Sequence, residues 1–376
     1  MPRIVIDARS VVARQSGIGN YVAGLTSELV RLAPDWSFLL LKNPAVRNRL
    51  IDAPNVREAP FVGETKSVTT VFRLGRAFDF FRGYDLYHSP ADLVPLGIRR
   101  PWAVTIHDLM WIEARRLASA FPPVRWANAA WYTYNIERAV RGARVVISIS
   151  QATADAIGRV YPEHAHKVHV VRHGVDHARF DPERAPPRSA LDAALPPGVD
   201  YSLIIGQGSP YKNHPGMLRA FLEAIPGDAP HRLVLVRRFS RVDFEMQRLL
   251  AHPDAKERVI VLSHVTEPML LALLRHAKML LFASHYEGFG LPALEAMCMG
   301  TPVLASTAPA VVEVTADAAL HAGSDDHTAL VESIRRLDQD AELRTKLSEA
   351  GRRRAAEFTW RRAAELTLAA YRAALE

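Results

Sequence analysis

SHYEGFGLPALEAMCMGTPVLAS, residues 284–306, follows directly on the apolar run Met279-Leu280-Leu281-Phe282-Ala283. That run has the length and bounds of a buried strand. The glycine-bearing turn Glu287-Gly288-Phe289-Gly290 comes next, Pro292 stands where a first helical residue would, and Gly300 with Pro302 closes the helix. Val303-Leu304-Ala305 opens another strand. A strand, a glycine-rich turn and a helix N-terminus seat a phosphate, because free backbone N–H groups and the helix dipole point at it. Two carboxylates flank this seat, Glu287 in the loop and Glu295, placed in the first turn of the helix. A carboxylate avoids phosphate, so the pair points to hydroxyl-rich groups on both sides. A nucleotide sugar has that layout: ribose, diphosphate, sugar.

A chain of 376 residues has room for two domains, and 49% hydrophobic with 8% aromatic content is that of a globular protein with substantial cores. No basic-then-apolar leader opens the sequence, and no apolar run approaches the roughly 18 residues of a membrane span. Cys298 stands alone, which excludes an internal disulfide and fits a reducing cytoplasm. The net charge of +7 is uneven: residues 1–180 carry +9 and the remainder −2. A basic half suits nucleic acid, an anionic membrane or a phosphorylated acceptor, or simply keeps the protein soluble. No nucleic-acid module accompanies it, so nucleic acid is not expected as a partner.

Strands are predicted at Ile4–Asp7, Phe38–Leu41, Asp85–His88, Trp102–Ile106, Val145–Ile149 and Val168–Val171, with helical patterns between them. This alternation argues for a parallel α/β sheet. Between Asp181 and Gly198 the prolines Pro182, Pro186, Pro187, Pro196 and Pro197 read as a linker. The rhythm then restarts at Tyr201–Ile205, Arg232–Val236, Val259–Leu262, Met279–Ala283 and Val303–Ala305. The expected organisation is an N-terminal Rossmann-like domain over 1–180, a linker over 181–200 and a second such domain over 201–357. A helix over 358–376 is expected to pack back on the first domain. The loop Gln15–Asn20, with Gly17 and Gly19, leads into a helix; a lone Gly-x-Gly without a third glycine reads as close backbone approach to a ligand, not as a dinucleotide site. The segment Lys66–Arg82 carries Val68, Val71, Phe72 and Phe78 at helical spacing among Arg73, Arg76 and other cations, and Trp126, Trp131, Tyr132 and Tyr134 form an aromatic stretch. Both read as core-facing helices, with contact to an anionic membrane or a lipid-linked acceptor as the alternative.

Ligands of open α/β sheets sit at the carboxyl ends of the strands. There lie Gly17 and Gly19, His107-Asp108, Ser148 and Ser150 in the first half. Gly206-Gln207-Gly208, Lys212-Asn213, Ser263-His264-Val265 and the 284–306 stretch lie there in the second. If the two sheets face each other, these residues share one cleft.

Glu287 and Glu295 within EGFGLPALEAMCMGTPVLAS resemble the hallmark of the group 1 retaining glycosyltransferases of the GT-B fold, two doubly wound domains facing across a cleft. SGIGNY (16–21), TIHDL (105–109), VISISQATADAI (146–157), HGVD (173–176), SPYKN (209–213) and FTWRRAA (358–364) follow in the family's order. TIHDL and FTW are similar to the branch of bacterial polysaccharide and lipopolysaccharide mannosyltransferases, often users of GDP-mannose. The resemblance implies a cytoplasmic hexosyltransferase, at the inner face of the membrane where its acceptor is lipid-linked, with a nucleotide diphosphate sugar as donor and no cofactor.

It implies roles for residues as well. Glu295 would accept hydrogen bonds from the ribose, a task suited to a carboxylate. Glu287 would lie by the hydroxyls of the transferred sugar, and His107 at the reacting centre. Backbone N–H groups of Gly288, Phe289, Gly290 and Leu291 would hold the diphosphate, and Lys212 would neutralise the leaving phosphate. Gly17, Gly19, Gly206, Gln207, Asn213 and Val265 would complete the donor site. Out of this context, Glu295 is equally a charge at a helix N-terminus and His107 a structural histidine. His173 and His285 read as structural. Asp338-Gln339-Asp340 has the metal-binding DxD form but falls in a charged helix, so no metal is expected. One departure stands out: where many relatives carry an arginine near the phosphate-binding lysine, this chain has Tyr211 and Gln207. A non-catalytic sugar-nucleotide-binding subunit and a sugar-nucleotide epimerase of the same fold are the alternatives.

Overall fold

Seven short segments, the central ones apolar on both faces, build the first sheet. They are β1 (Arg3–Asp7), β2 (Ser37–Lys42), β3 (Val56–Pro60), β4 (Leu86–Ser89), β5 (Trp102–Ile106), β6 (Val145–Ser148) and β7 (Val168–Val170). The computed structural model describes residues 1–12, 17–63, 65–77, 83–119, 121–238 and 244–376, with backbone alone at 73–77 and 238. Gln15, Ser16, Phe78, Arg82 and the side chains of Arg73 and Arg76 lie outside the described residues. The strands are all parallel, in the order β3-β2-β1-β4-β5-β6-β7. Ile4, Val5 and Ile6 are all buried, as the central strand of a sheet covered on both faces requires.

This sheet belongs to a compact unit formed by residues 1–113, 126–174 and 358–376. Its last element, the Trp360–Leu375 helix, starts on a cap in which Thr359 Oγ1 accepts the Arg362 N–H (3.1 Å). Ala363, Ala364, Leu368, Tyr371 and Ala374 recur at helical spacing and enter the core with Leu25 and Leu29 of the Gly17–Leu32 helix. Glycine is required at position 24, where a Cβ would lie 2.3 Å from the Trp360 indole.

The second unit comprises residues 114–125 and 175–357. Its strands are β8 (Asp200–Gln207), β9 (His231–Arg238), β10 (Val259–Leu262), β11 (Met279–Phe282), β12 (Val303–Ser306) and β13 (Leu320–Ala322). They too are parallel, in the order β10-β9-β8-β11-β12-β13, the doubly wound arrangement. The proline-rich stretch 181–200 is packed onto this unit. Leu191 and Leu195 are buried, His276 Nε2 bonds the Pro186 carbonyl (3.0 Å), and Arg188 lies over the Tyr201 ring at 5.6 Å.

Three details differ from the sequence reading. The Gly17–Leu32 helix begins at Gly17, so Gly17 and Gly19 form its first turn and not a preceding loop. Strands β3 and β13 escaped prediction; both lie at sheet edges, where one is the polar VREAP and the other three residues long. Of the two amphipathic stretches, Val71 is core, whereas Val68, Phe72, Trp126 and Tyr134 are exposed.

Candidate functional site

The strand order of the second unit reverses between β8 and β11, and the loops leaving these two strands form a polar crevice edge. After β8 the chain runs through Gly206, Gln207 and Gly208 into a tight turn at Pro210–Lys212. Asn213, at φ 51°, turns it into the His214–Ala224 helix. After β11 it runs through Ser284–Gly290 into the Leu291–Cys298 helix. Three contacts join the two loops. The His285 N–H donates to the Tyr211 carbonyl at 2.8 Å. Asn213 Nδ2 donates to the Ala283 carbonyl at 3.1 Å, and also to that of Ser324 at 2.7 Å. Lys212 Nζ meets Glu287 Oε1 at 2.6 Å, with the two side chains only 10% and 9% exposed. The lysine is flanked by the Tyr211 and Phe282 rings, at 5.0 and 5.4 Å. Asn213 is thus a scaffold residue, with both amide hydrogens committed, while Lys212 and Glu287 share one spot.

Gly290, at φ 112°, is the N-cap of the Leu291–Cys298 helix, and no side chain caps it. A residue with a Cβ is strained there. Pro292 has no N–H, and the Ala293 and Leu294 N–H groups donate to the Gly290 carbonyl at 3.1 and 3.2 Å. That leaves the Leu291 N–H at the helix start to meet an anion. Phe289 is buried and anchors the turn. Glu295 is the fifth residue of this helix, in its second turn and not its first. A stabilising interaction with the helix dipole, confined to the first turn, therefore does not explain it. Burial raises its carboxyl to about 7, with Arg179 pulling the other way. Arg179 also reaches Glu267 at 2.9 Å, at the start of the helix that follows the partly buried Val265.

One cation here was not read from the sequence. Arg237, near the end of β9, pairs in register with Gly206, and a Cβ on Gly208 would lie 2.3 Å from its guanidinium. Glycine at 208 thus lets Arg237 lie flat against the loop. Burial lowers the guanidinium to about 10. His214 is lowered to about 3, first by burial, then by Arg237 and by Lys212. The only sequence signal was composition: a charged Arg-Arg pair closing an apolar strand. A cavity of about 890 Å³ opens on the Gly208 and Asn213 side, walled also by His214, Arg219, Arg237 and His285.

In the first unit, His107 follows β5 and is buried. Its Nε2 lies 2.8 Å from the Pro90 carbonyl, an acceptor, so Nε2 carries the proton and Nδ1 keeps a lone pair. Burial lowers its pKa, so the ring is neutral at pH 7. Asp92, at φ 62°, accepts the His107 backbone N–H at 2.7 Å and binds Lys66. This strained aspartate fixes His107, and no motif announced it. Behind them runs a buried chain in which Tyr21 Oη and His88 Nε2 meet Thr105 Oγ1 at 2.9 and 2.8 Å, and Tyr371 Oη meets His88 Nδ1 at 2.6 Å. Gly19 is buried and Gly17 exposed at the start of the neighbouring helix. His173 is stacked on Tyr21 at 4.7 Å, and His285 bonds Ser324 Oγ at 2.9 Å, both structural placements.

The DxD residues are spent elsewhere. Asp338 binds His231 at 2.8 Å and Lys278 at 2.7 Å, while Asp340 caps the Ala341–Ala355 helix. Among the described residues no cluster of His, Cys, Asp or Glu is arranged to hold a metal ion, and no helix is long and apolar enough to cross a membrane.

Residues 192–354 match the family described as Glycosyl transferases group 1, and residues 15–179 match Glycosyltransferase Family 4. A D-inositol 3-phosphate glycosyltransferase of Salinispora arenicola is 30% identical, the match covering 77% of this chain and 68% of that one. O-antigen chain mannosyltransferase B of Escherichia coli is 25% identical over 84% and 81% of the two chains. An MMP alpha-(1->4)-mannosyltransferase of Mycolicibacterium hassiacum is 32% identical over 65% of this chain, which spans 58% of that relative's length. Among solved structures, sucrose-phosphate synthase from Thermosynechococcus elongatus superposes with a TM-score of 0.77 at 21% identity, covering 99% and 98% of the chains. Anabaena HepE in complex with UDP-glucose gives 0.72 at 18% identity, covering 98% of each. These likenesses establish the GT-B fold.

Proposed function

The chain belongs to the group 1 glycosyltransferases, and from that premise we propose that it moves a hexose, mannose in preference, from a nucleotide diphosphate sugar to a glycan or lipid-linked acceptor. The Lys212–Glu287 pair across the switch point, with Glu295 on the helix just beyond, is the observation that carries this reading. Lys212 and Arg237 supply positive charge for the leaving diphosphate, and the Leu291 N–H at the helix start supplies a donor. Glu287 faces the sugar and Glu295 the ribose. His107, neutral with an Nδ1 lone pair, accepts a hydrogen bond from a sugar hydroxyl. The anomeric configuration is retained, with the leaving phosphate taking the acceptor's proton. The preference for mannose leans on the mannosyltransferases among the relatives, and the polysaccharide or lipopolysaccharide setting on the O-antigen enzymes.

A product assay with GDP-mannose, UDP-glucose and an acceptor panel tests the reading. Lys212→Gln and Glu295→Ala each lower transfer about 100-fold or more, the loss of one well-placed group. Full activity in both variants overturns it. No metal takes part, so EDTA leaves transfer intact; strict EDTA sensitivity removes that part. The exposed Val68, Phe72, Trp126 and Tyr134 in the basic N-terminal half support peripheral binding to an anionic membrane. Phe72→Ser with Trp126→Ser should halve co-sedimentation with phosphatidylglycerol vesicles or better; unchanged co-sedimentation rules it out.

A further inference from the structure

Lys212 and Glu287 occupy each other in a place the donor has to enter. Each side chain is about nine-tenths buried, so their attraction is stronger than that of an exposed pair and neither carries a full shell of water. A diphosphate that recruits Lys212 must draw it from Glu287, and it leaves that carboxylate close to a second anion.

We propose that Glu287 is a built-in competitor for Lys212 which favours the intact donor over its nucleoside diphosphate product. This rests on the donor-site reading given above. An intact donor carries hydroxyls on the sugar next to its second phosphate, and these donate hydrogen bonds to Glu287 as Lys212 turns to the phosphate. The carboxylate exchanges one partner for another and stays satisfied. A nucleoside diphosphate has no such hydroxyls. It takes Lys212 away and offers Glu287 only like charge, so the pair re-forms and the product is driven out. The loop geometry sharpens the contest. The His285–Tyr211 and Asn213–Ala283 bonds hold the two loops together, so Glu287 cannot be carried clear by separating them. The flanking Tyr211 and Phe282 rings keep the lysine nitrogen within this confined spot.

Calorimetric titration of GDP, UDP, GDP-mannose and UDP-glucose against the wild type, Glu287→Gln, Lys212→Gln and the double variant tests the proposal. In Glu287→Gln the nucleoside diphosphate binds about tenfold more tightly, an effect between those of exposed and fully buried ion pairs. The sugar-bearing donor gains less or loses affinity, so the preference for donor over product shrinks. In the Lys212→Gln background the same change at 287 brings a gain at least about threefold smaller, since the object of competition is gone. A purely structural tie predicts the reverse, weaker binding of both ligands with a lower melting temperature. Unchanged or weaker diphosphate binding in a natively melting Glu287→Gln protein therefore overturns the proposal. Should that variant not fold, Glu287→Asp, which withdraws the same charge by one methylene, must show the same shift in smaller measure, and its failure to do so is equally decisive. A wild type that binds none of the four ligands overturns the donor reading, and this inference falls with it.

Discussion

Glu295 shows how a single carboxyl couples ligand, protonation and stability. Its pKa is raised from the ordinary value of 4.5 to about 7 by burial. The folded protein therefore holds this proton over a pH window in which the unfolded chain has released it. The side chain's contribution is most favourable below about 4.5, declines as pH rises, and is lost by about 7, where the folded state must also ionise it. Partial exposure trims the cost, leaving about 1–3 kcal/mol. Glu295→Gln should accordingly melt several degrees above the wild type at pH 8 and level with it at pH 4; a variant that melts lower at pH 8 contradicts this origin. Lys212, Glu287, Glu295 and His107 were legible because each belongs to a short motif. Arg237 and Asp92 were not, since their importance arises from neighbours brought together by the fold. Arg237 matters only because the β8–β9 register sets it beside Gly206. Asp92 matters because a left-handed turn presents it to a backbone amide 15 residues away.

Strands announced themselves by the length and continuity of their apolar runs. Central strands such as β1, β8 and β11 are continuous apolar runs and were found to within a residue or two at most ends. The edge strands β7 and β10 were still found, β10 from the apolar run VIVL, whereas β3 is the polar VREAP and β13 has three residues, and both were invisible. The start of the Gly17–Leu32 helix was misplaced because glycine is the poorest helix former short of proline. Local propensity places such a residue in a loop, and the tertiary setting overrides it. Amphipathic spacing told that the Val68–Ala77 segment is a helix but not which apolar residues face inward. Val71 is core and Phe72, one position on, is not. Glu295 was displaced by one residue, out of the first turn, for a related reason: Gly290 takes the cap position, and the helix starts at Leu291, one residue sooner than Pro292 alone implies.

At the scale of the whole molecule, the chain leaves the first unit and returns to it to finish. Residues 175–357 carry an apolar core of their own around Phe221, Leu235, Leu281 and Ile334. The first unit draws Ala363, Ala364, Leu368, Tyr371 and Ala374 from the far end of the sequence into its core. Tyr371 also ends the hydrogen-bonded chain through His88 to Thr105, two residues before His107. Removing residues 358–376 therefore strips apolar cover from Leu25 and Leu29 and leaves His88 without its 2.6 Å partner. Each large buried side chain is worth about 1.5–3 kcal/mol, and an orphaned buried polar group costs about 1–3 kcal/mol. Their sum is comparable with the whole stability of a domain, about 5–15 kcal/mol. A chain ending at Glu357 should thus keep hydrogen-exchange protection in β8–β13 and lose it in β1–β7, with one calorimetric transition missing. It should still bind a nucleoside diphosphate through Lys212, Arg237 and Glu295 while transferring no sugar. Native protection in β4 and β5 of that truncated chain would show that the last helix is an accessory, and that the buried chain to Tyr371 does not hold the His107 strand in place.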